Sequence, residues 1–236
     1  MRFIDIGKYC LGHTDRSATS YAIVIILAAF VVCYSDTVSG ALPVLCGTLE
    51  NHYGPYDYRN PNTRRESLDV VDSNHFDRNV ENLRPHSKCQ IRTTCTSVAA
   101  DIDYTLRAFP NHHRALVAMA RYHLRGMDKI DRQMRYSATC YFLRAIEFAP
   151  DDPTVRMIHA YYLSKSNDLQ GARVEYEEAL SLAPDSAEVN YNAGLFFLDL
   201  NEVGRARECA KRAYDLGHPL PGLRDRLKAK GIDLDD

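Results

Sequence analysis

Apolar positions in the second half of the chain recur at the spacing of amphipathic helices, and prolines divide this half into segments. Four prolines follow apolar helical stretches, at intervals of 40, 34 and 35 residues: Pro110, Pro150, Pro184 and Pro219. Proline lacks the N–H group that a preceding helical turn needs, so each proline marks the end of a helix. The pattern therefore predicts consecutive pairs of helices over residues 101–236.

Small and aromatic residues keep one register from pair to pair. The second helices share an Ala–aromatic–Ala pattern that recurs after 34 residues, at Ala138, Phe142 and Ala145 and then at Ala172, Tyr176 and Ala179. The first helices carry small residues at Ala120, Ala160 and Gly194, which let the two helices of a pair approach closely. A 34-residue helix–turn–helix unit with this pattern resembles the tetratricopeptide repeat (TPR) family.

The resemblance covers residues 101–231 and implies an all-α fold, a TPR α-solenoid of about three helix hairpins. The hairpin over 113–152 departs from the family pattern through extra residues around Gly126–Asp131, which lengthen its loop. The stretch Leu223–Lys230 is amphipathic and resembles a C-terminal capping helix. A solenoid needs such a cap because its end unit has no neighbour to cover the outer face.

The same resemblance implies a concave groove lined by the first helix of each hairpin, which would bind a protein or peptide. Carried over residue by residue, the groove consists of Arg114, Val117, Arg121, Leu124, Thr154, Met157, Tyr161, Ser164, Glu188, Tyr191, Leu195 and Leu198. This mixture of aromatic, apolar and arginine side chains is typical of recognition surfaces. It lacks the Lys/Arg/Asn clamp with which TPR chaperone adaptors hold a C-terminal carboxylate. An alternative stays open, in which the chain's own residues 41–100 cover part of the stripe.

Residues 41–100 have no helical period and are rich in Gly, Pro, Asn and Tyr. They predict an irregular, extended segment, with one short helix near 76–83 that begins at Asn74 or Asp77. Their tyrosines and aliphatic residues are too numerous for a free tail, so we expect the segment to pack on the helices. A partly disordered linker is the alternative.

Residues 1–40 have the layout of a secretory signal peptide. The uncharged apolar run over 21–33 is too short to span a bilayer, and small residues around Gly40 offer a cleavage site. An uncleaved N-terminal anchor is the alternative, and the run would then be the only membrane contact. Both interpretations predict an exported protein, in the periplasm, at the cell surface or secreted.

Export implies an oxidising compartment, in which cysteines pair. Cys89 and Cys95 lie close together in a polar stretch and are candidates for a disulfide. Cys140 and Cys209 fall on apolar helix faces and predict buried, unpaired side chains. Cys46 would then be left over, either free or bonded to another chain.

Charge and motifs exclude several function classes. The 29 Lys and Arg residues are balanced by 31 Asp and Glu residues, which argues against a nucleic-acid partner. No metal, cofactor or catalytic motif is present, so we expect no enzyme activity, no metal and no cofactor. The pairs Asp101–Asp103 and Asp151–Asp152 lie near predicted helix starts and are interpreted as helix caps. The nine histidines are interpreted as caps or surface residues.

The leading hypothesis is an exported TPR scaffold, similar to those of bacterial envelope and secretion assemblies, that holds a protein or peptide in its groove. The alternative is a structural subunit whose segment 46–71 docks into the groove of a neighbouring copy. Such head-to-tail contacts do not close and would build a fibre. An unpaired Cys46 would support that alternative.

Overall fold

A computed structural model describes residues 43–90 and 96–234. The predicted signal or anchor segment, 1–40, lies outside the described residues. The described part is all-helical, as predicted, and contains no strand. Its α-helices are α1 (Pro61–Thr63), α2 (Asp69–His75), α3 (Arg78–Glu81), α4 (Val98–Ala108), α5 (His113–Leu124), α6 (Ala138–Phe148), α7 (Pro153–Lys165), α8 (Leu169–Leu182), α9 (Ala187–Asp199), α10 (Val203–Asp215) and α11 (Gly222–Lys228).

The helix boundaries follow from local chemistry. Helices α4, α6, α7, α8 and α9 each begin after a Ser or Asp whose side-chain oxygen accepts hydrogen bonds from first-turn N–H groups. Three helices have their C-cap residue directly before a proline, namely Phe109 after α4, Ala149 after α6 and Ala183 after α8. The prolines Pro110, Pro150 and Pro184 therefore stop helices where the sequence predicted.

The larger helices pack in consecutive pairs. Residues 166–168 alone join α7 to α8, and the two helices pack along their length, so they run antiparallel. The pair α9 and α10 is joined equally tightly, whereas α5 and α6 are separated by the longer loop 125–137. Helix α7 contacts both α5 and α9. Leu223 and Leu227 bury α11 against this core next to α9 and α10, where a terminal helix was expected.

Residues 43–90, which we call the N-terminal segment, pack on α4, α5 and α6. The sequence predicted irregular chain here, but residues 61–75 are helical. They take this form because Leu68 and Val71 face Ala108 and Phe109 in a small apolar cluster. The predicted short helix is present as α3, and Asp77 caps it by accepting hydrogen bonds from the N–H groups of Asn79 and Val80.

A disulfide joins Cys46 to Cys140 in α6, with a Cα–Cα distance of 5.0 Å. The prediction that Cys46 is left over and that Cys140 is unpaired is therefore wrong. The buried guanidinium of Arg144 stabilises the connection, because its Nη1 donates to the carbonyl oxygens of Cys46 and Thr48. Cys209 is a buried free thiol, as predicted. The pairing of Cys89 with Cys95 stays a prediction, because Cys95 lies outside the described residues.

Candidate functional site

A groove of about 360 Å³ is formed by the first helices of three successive pairs, α5, α7 and α9, together with two residues of the N-terminal segment. Six of the twelve residues predicted from sequence line it: Arg114, Val117, Arg121, Thr154, Met157 and Glu188. These six residues and the volume between them are called the groove below. Its size falls within the usual range of ligand-binding cavities, which begins at about 300 Å³.

The other six predicted residues do not line this volume. Leu124, Tyr161 and Ser164 are partly exposed on α5 and α7, with Tyr161 39% exposed. On α9, Tyr191 and Leu198 are buried and Leu195 packs against the core. The ring of Tyr191 stacks on His218, with centroids 3.9 Å apart. Helix α9 presents little free surface because it contacts α7, α8, α10 and α11.

Five lining residues were not predicted: Tyr58, Glu81, His113, Ala118 and Ile158. Ala118 and Ile158 directly follow predicted groove residues in their helices. Tyr58 and Glu81 come from the N-terminal segment, whose sequence lacks a period that could indicate where it docks. Among the described residues of 41–100, only Tyr58 and Glu81 line the volume, so this part of the segment covers the predicted stripe at the α5 edge alone.

Arg114 forms a two-point ion pair with Glu81 at this edge. Its Nε and Nη2 atoms donate to the two carboxylate oxygens over 2.9 and 2.6 Å. The hydrogen bonds from Arg114 lower the pKa of Glu81, and those to Glu81 raise the pKa of Arg114. Both side chains are partly exposed, so the pair contributes little to stability and can exchange.

Arg121 and Glu188 differ from this pair because neither has an ionic partner in the described part of the chain. The one hydrogen bond of the Arg121 side chain goes to the backbone carbonyl of Glu81, at 3.5 Å. The Glu188 side chain is exposed. Between them lie Val117, which is 37% exposed, and the thioether of Met157. The groove thus combines an apolar floor with one unpaired charge of each sign.

His113 borders the groove and is fixed by Asp152. The Nε2 atom of His113 lies 2.9 Å from a carboxylate oxygen of Asp152, which also accepts from Asn111 and caps α7. Burial raises the pKa of Asp152, but the hydrogen bond and charge of His113 and the charge of Arg59 outweigh it, so the net pKa is lowered. Asp152 is therefore a structural carboxylate, and its predicted role as a cap is confirmed.

His112 is fully buried and neutral. Its Nδ1 accepts a hydrogen bond from the N–H of Ala115, so the ring proton is on Nε2 and is donated to Asp72 over 3.0 Å. Burial lowers the pKa of His112 and outweighs the effect of Asp72. The prediction that histidines cap helices is confirmed for this residue, the N-cap of α5.

Asp101 and Asp103 do not cap a helix, so that prediction is wrong. Helix α4 begins earlier than expected, after Ser97, and both carboxylates are buried within it. Asp101 accepts from the hydroxyl of Thr96 and lies 3.0 Å from His75 Nδ1. Asp103 accepts from Tyr141 and Arg107. The prediction failed because Ser97, four residues before Asp101, is the N-cap of α4.

Residues 43–90 and 96–234 contain neither a cluster of metal ligands nor a membrane-spanning helix. Within these ranges, no three His, Cys, Asp or Glu side chains come together in a way that could hold a metal ion. No helix in the same ranges has the length and apolar character needed to cross a membrane.

The described part of the chain is thus all-helical, with an open groove across α5, α7 and α9, the first helices of three successive pairs. Comparison with known proteins assigns no family, since no family model, curated protein or solved structure matches the chain.

Proposed function

We propose that α5 to α11 form a TPR-type repeat array, and that its groove binds a segment of another polypeptide. The 34-residue register and the paired packing of α5 through α10 support the array. One observation carries the binding function: an open volume of about 360 Å³ lies between the first helices of three pairs, with the apolar side chain of Val117 left accessible. Accessible apolar groups within a preformed concavity are typical of binding sites.

The proposal includes export and a place in an envelope or extracellular assembly. A disulfide persists in oxidising compartments, so the bond between Cys46 and Cys140 supports this location. The same bond removes the slight support that an unpaired Cys46 would give to the fibre alternative. Tyr56 and Tyr58 belong to the segment that would dock into a neighbour, but their rings already pack at a tilt against Phe109 and His112 of the same chain.

A site-specific cross-link tests the binding function. A photoreactive benzophenone amino acid is placed at Val117 of the full chain, and in separate variants at Thr154, which also lines the groove, and at Val174. Val174 lies on α8, is 63% exposed and does not line the groove, so it is a matched control. After irradiation of cells that make the protein, we expect Val117 and Thr154 to cross-link the same polypeptide and Val174 to leave it unlabelled. Absence of a product at Val117, or an equal yield at Val174, would refute groove binding.

A further inference from the structure

A contact with the N-terminal segment indicates which chemical group the arginines of the groove bind. Glu81, at the C-terminal end of α3, reaches α5 and presents both carboxylate oxygens to the guanidinium of Arg114. Parallel N–H···O bonds of this kind are the preferred geometry between arginine and a carboxylate. The contact lies at the rim of the groove and is partly exposed. Glu81 therefore serves as an internal example of a carboxylate ligand.

Arg121 is a second guanidinium in the groove, and it binds no carboxylate of the described chain. It lies seven residues, or two turns, after Arg114 on the same face of α5. Its single long hydrogen bond to the Glu81 carbonyl leaves most of its five N–H groups without a partner in the described chain. A half-buried guanidinium beside apolar groups attracts a carboxylate more strongly than a fully hydrated one does.

The position of Val117 indicates that the ligand also carries an apolar side chain near its carboxylate. It lies one turn before Arg121, and such neighbours on a helix are about 6 Å apart. Met157 of α7 lines the same volume. If a carboxylate of the ligand pairs with Arg121, another side chain on the same side of the ligand lies over the apolar surface of Val117 and Met157. That spacing matches successive same-side residues of an extended peptide, about 7 Å apart, or residues one turn apart on a helix.

We infer that the partner segment carries an Asp or Glu on the same side as a large apolar residue, two positions away if the segment is extended or three or four positions away if it is helical. Its carboxylate is bound by Arg121 and its apolar side chain lies over Val117 and Met157. This inference rests on the proposed function. Glu188, which is exposed at the α9 side of the groove and makes no ion pair within the described residues, repels a second acidic group there. The acidic residue of the ligand therefore lies toward α5 and not toward α9.

The charge of Glu81 opposes that ligand. Its carboxylate holds Arg114 and its backbone carbonyl lies 3.5 Å from Arg121 Nη1, so a carboxylate that binds Arg121 meets a second negative charge close by. Glu81→Gln removes the competing charge and keeps the shape of the side chain. We expect this variant to bind an acidic–apolar peptide at least threefold more tightly than the unchanged chain does.

Selection from a phage-displayed library of random dodecapeptides tests the inference. The full chain is compared with Arg121→Glu, which reverses the charge, and with Val117→Asp, which blocks the floor. We expect the full chain to enrich peptides with Asp or Glu two, three or four positions from Leu, Ile, Phe or Met. Arg121→Glu should lose these peptides and favour Lys or Arg at the same place. Circular dichroism melts confirm that each variant is folded, and Arg121→Gln provides a neutral second variant.

The possible results separate the two claims. Enriched peptides without acidic residues, or acidic peptides that Arg121→Glu and Arg121→Gln retain, would overturn the inference and leave groove binding in place. Enrichment that is identical for the full chain and Val117→Asp would overturn the proposed function as well. A Glu81→Gln affinity equal to that of the unchanged chain, measured by fluorescence anisotropy on a selected acidic peptide, would overturn the competition by Glu81.

Discussion

Single side chains connect the N-terminal segment to the rest of the chain, and Asp57 is one of them. It accepts hydrogen bonds from Arg59 and from the amide of Asn111, which lies at the turn between α4 and α5. The hydrogen bond from Arg59, assisted by Asn111, lowers the pKa of Asp57 from 3.8 to about 2. The ionised form is therefore bound more tightly in the folded chain than the protonated form.

Replacing Asp57 by Asn should make stability less sensitive to acid. A carboxylate with a lowered pKa stabilises the fold above its unfolded value near 4, and this contribution is lost as the pH falls through about 2. We expect Asp57→Asn to lower the free energy of unfolding by about 1 kcal/mol at pH 7, because the partly exposed pair is screened by solvent. The difference should shrink between pH 4 and pH 2 in urea titrations.

Asp69→Asn provides the matched control, since Asp69 is exposed on α2 and makes no ion pair within the described residues. Its effect should stay below about 0.5 kcal/mol at every pH. A difference between Asp57→Asn and the unchanged chain that stays constant from pH 7 to pH 2 would contradict the assignment.

At the level of helices, α9 packs closely against α10 and α11 at Gly194. A Cβ atom at this position would lie 2.5 Å from Leu223 Cδ2 of α11 and 3.2 Å from Cys209 Cβ of α10. The close approach of these helices therefore depends on the missing side chain, as the recurring small residue predicted. Gly204 on α10 differs, because no atom lies within 4 Å of its added Cβ.

Two alanine substitutions separate this packing effect from helix propensity. Gly194→Ala should destabilise the fold by about 1–2 kcal/mol, since overpacking outweighs the gain in propensity. Gly204→Ala should instead stabilise it by a few tenths to about 1 kcal/mol. Urea unfolding followed by circular dichroism measures both. Equal stability of the two variants would show that α9 and α11 are not closely packed at Gly194.

The sequence predicts the helices well because their signals are local. Proline stops, Ser and Asp caps and the 34-residue register each depend on neighbouring residues, and α4 to α10 begin and end close to them. The predicted groove residues came from the resemblance to the TPR family, and half of them line the observed volume, as Arg114, Val117 and Arg121 on α5 show. The sequence pattern does not indicate that α9 contacts four other helices. The prediction that Leu198 lines the groove is therefore wrong, since this side chain is 2% exposed.

The sequence does not predict where the N-terminal segment contacts the helices. Cys46, Tyr58 and Glu81 take their roles from contacts with α5 and α6, which are distant in sequence. Aperiodic chain carries no signal for where it docks, and five cysteines do not define their own pairing. The disulfide and the rim of the groove therefore became visible only in three dimensions.

At the scale of the whole molecule, the disulfide between Cys46 and Cys140 closes a loop with a sequence separation of 94 residues. Closing a long loop removes conformations from the unfolded chain. We expect the double variant Cys46→Ser, Cys140→Ser to lose about 2–4 kcal/mol of unfolding free energy, measured by urea titration. Cys209→Ala, which removes a buried thiol outside the loop, should cost less than about 2 kcal/mol. A double variant as stable as the unchanged chain would mean that the bond does not form.

The groove between α5, α7 and α9 is tested most directly by one affinity comparison. A fluorescent copy of the peptide mapped by the Val117 cross-link is titrated with the full chain, with Val117→Asp and with Val174→Asp. Both variants place the same charge on an exposed helical valine, but only Val117 lies in the groove. We expect Val117→Asp to weaken binding by at least tenfold, about 1.4 kcal/mol, and Val174→Asp to leave it unchanged. Equal affinities for all three proteins, or a loss confined to Val174→Asp, would place the binding surface elsewhere.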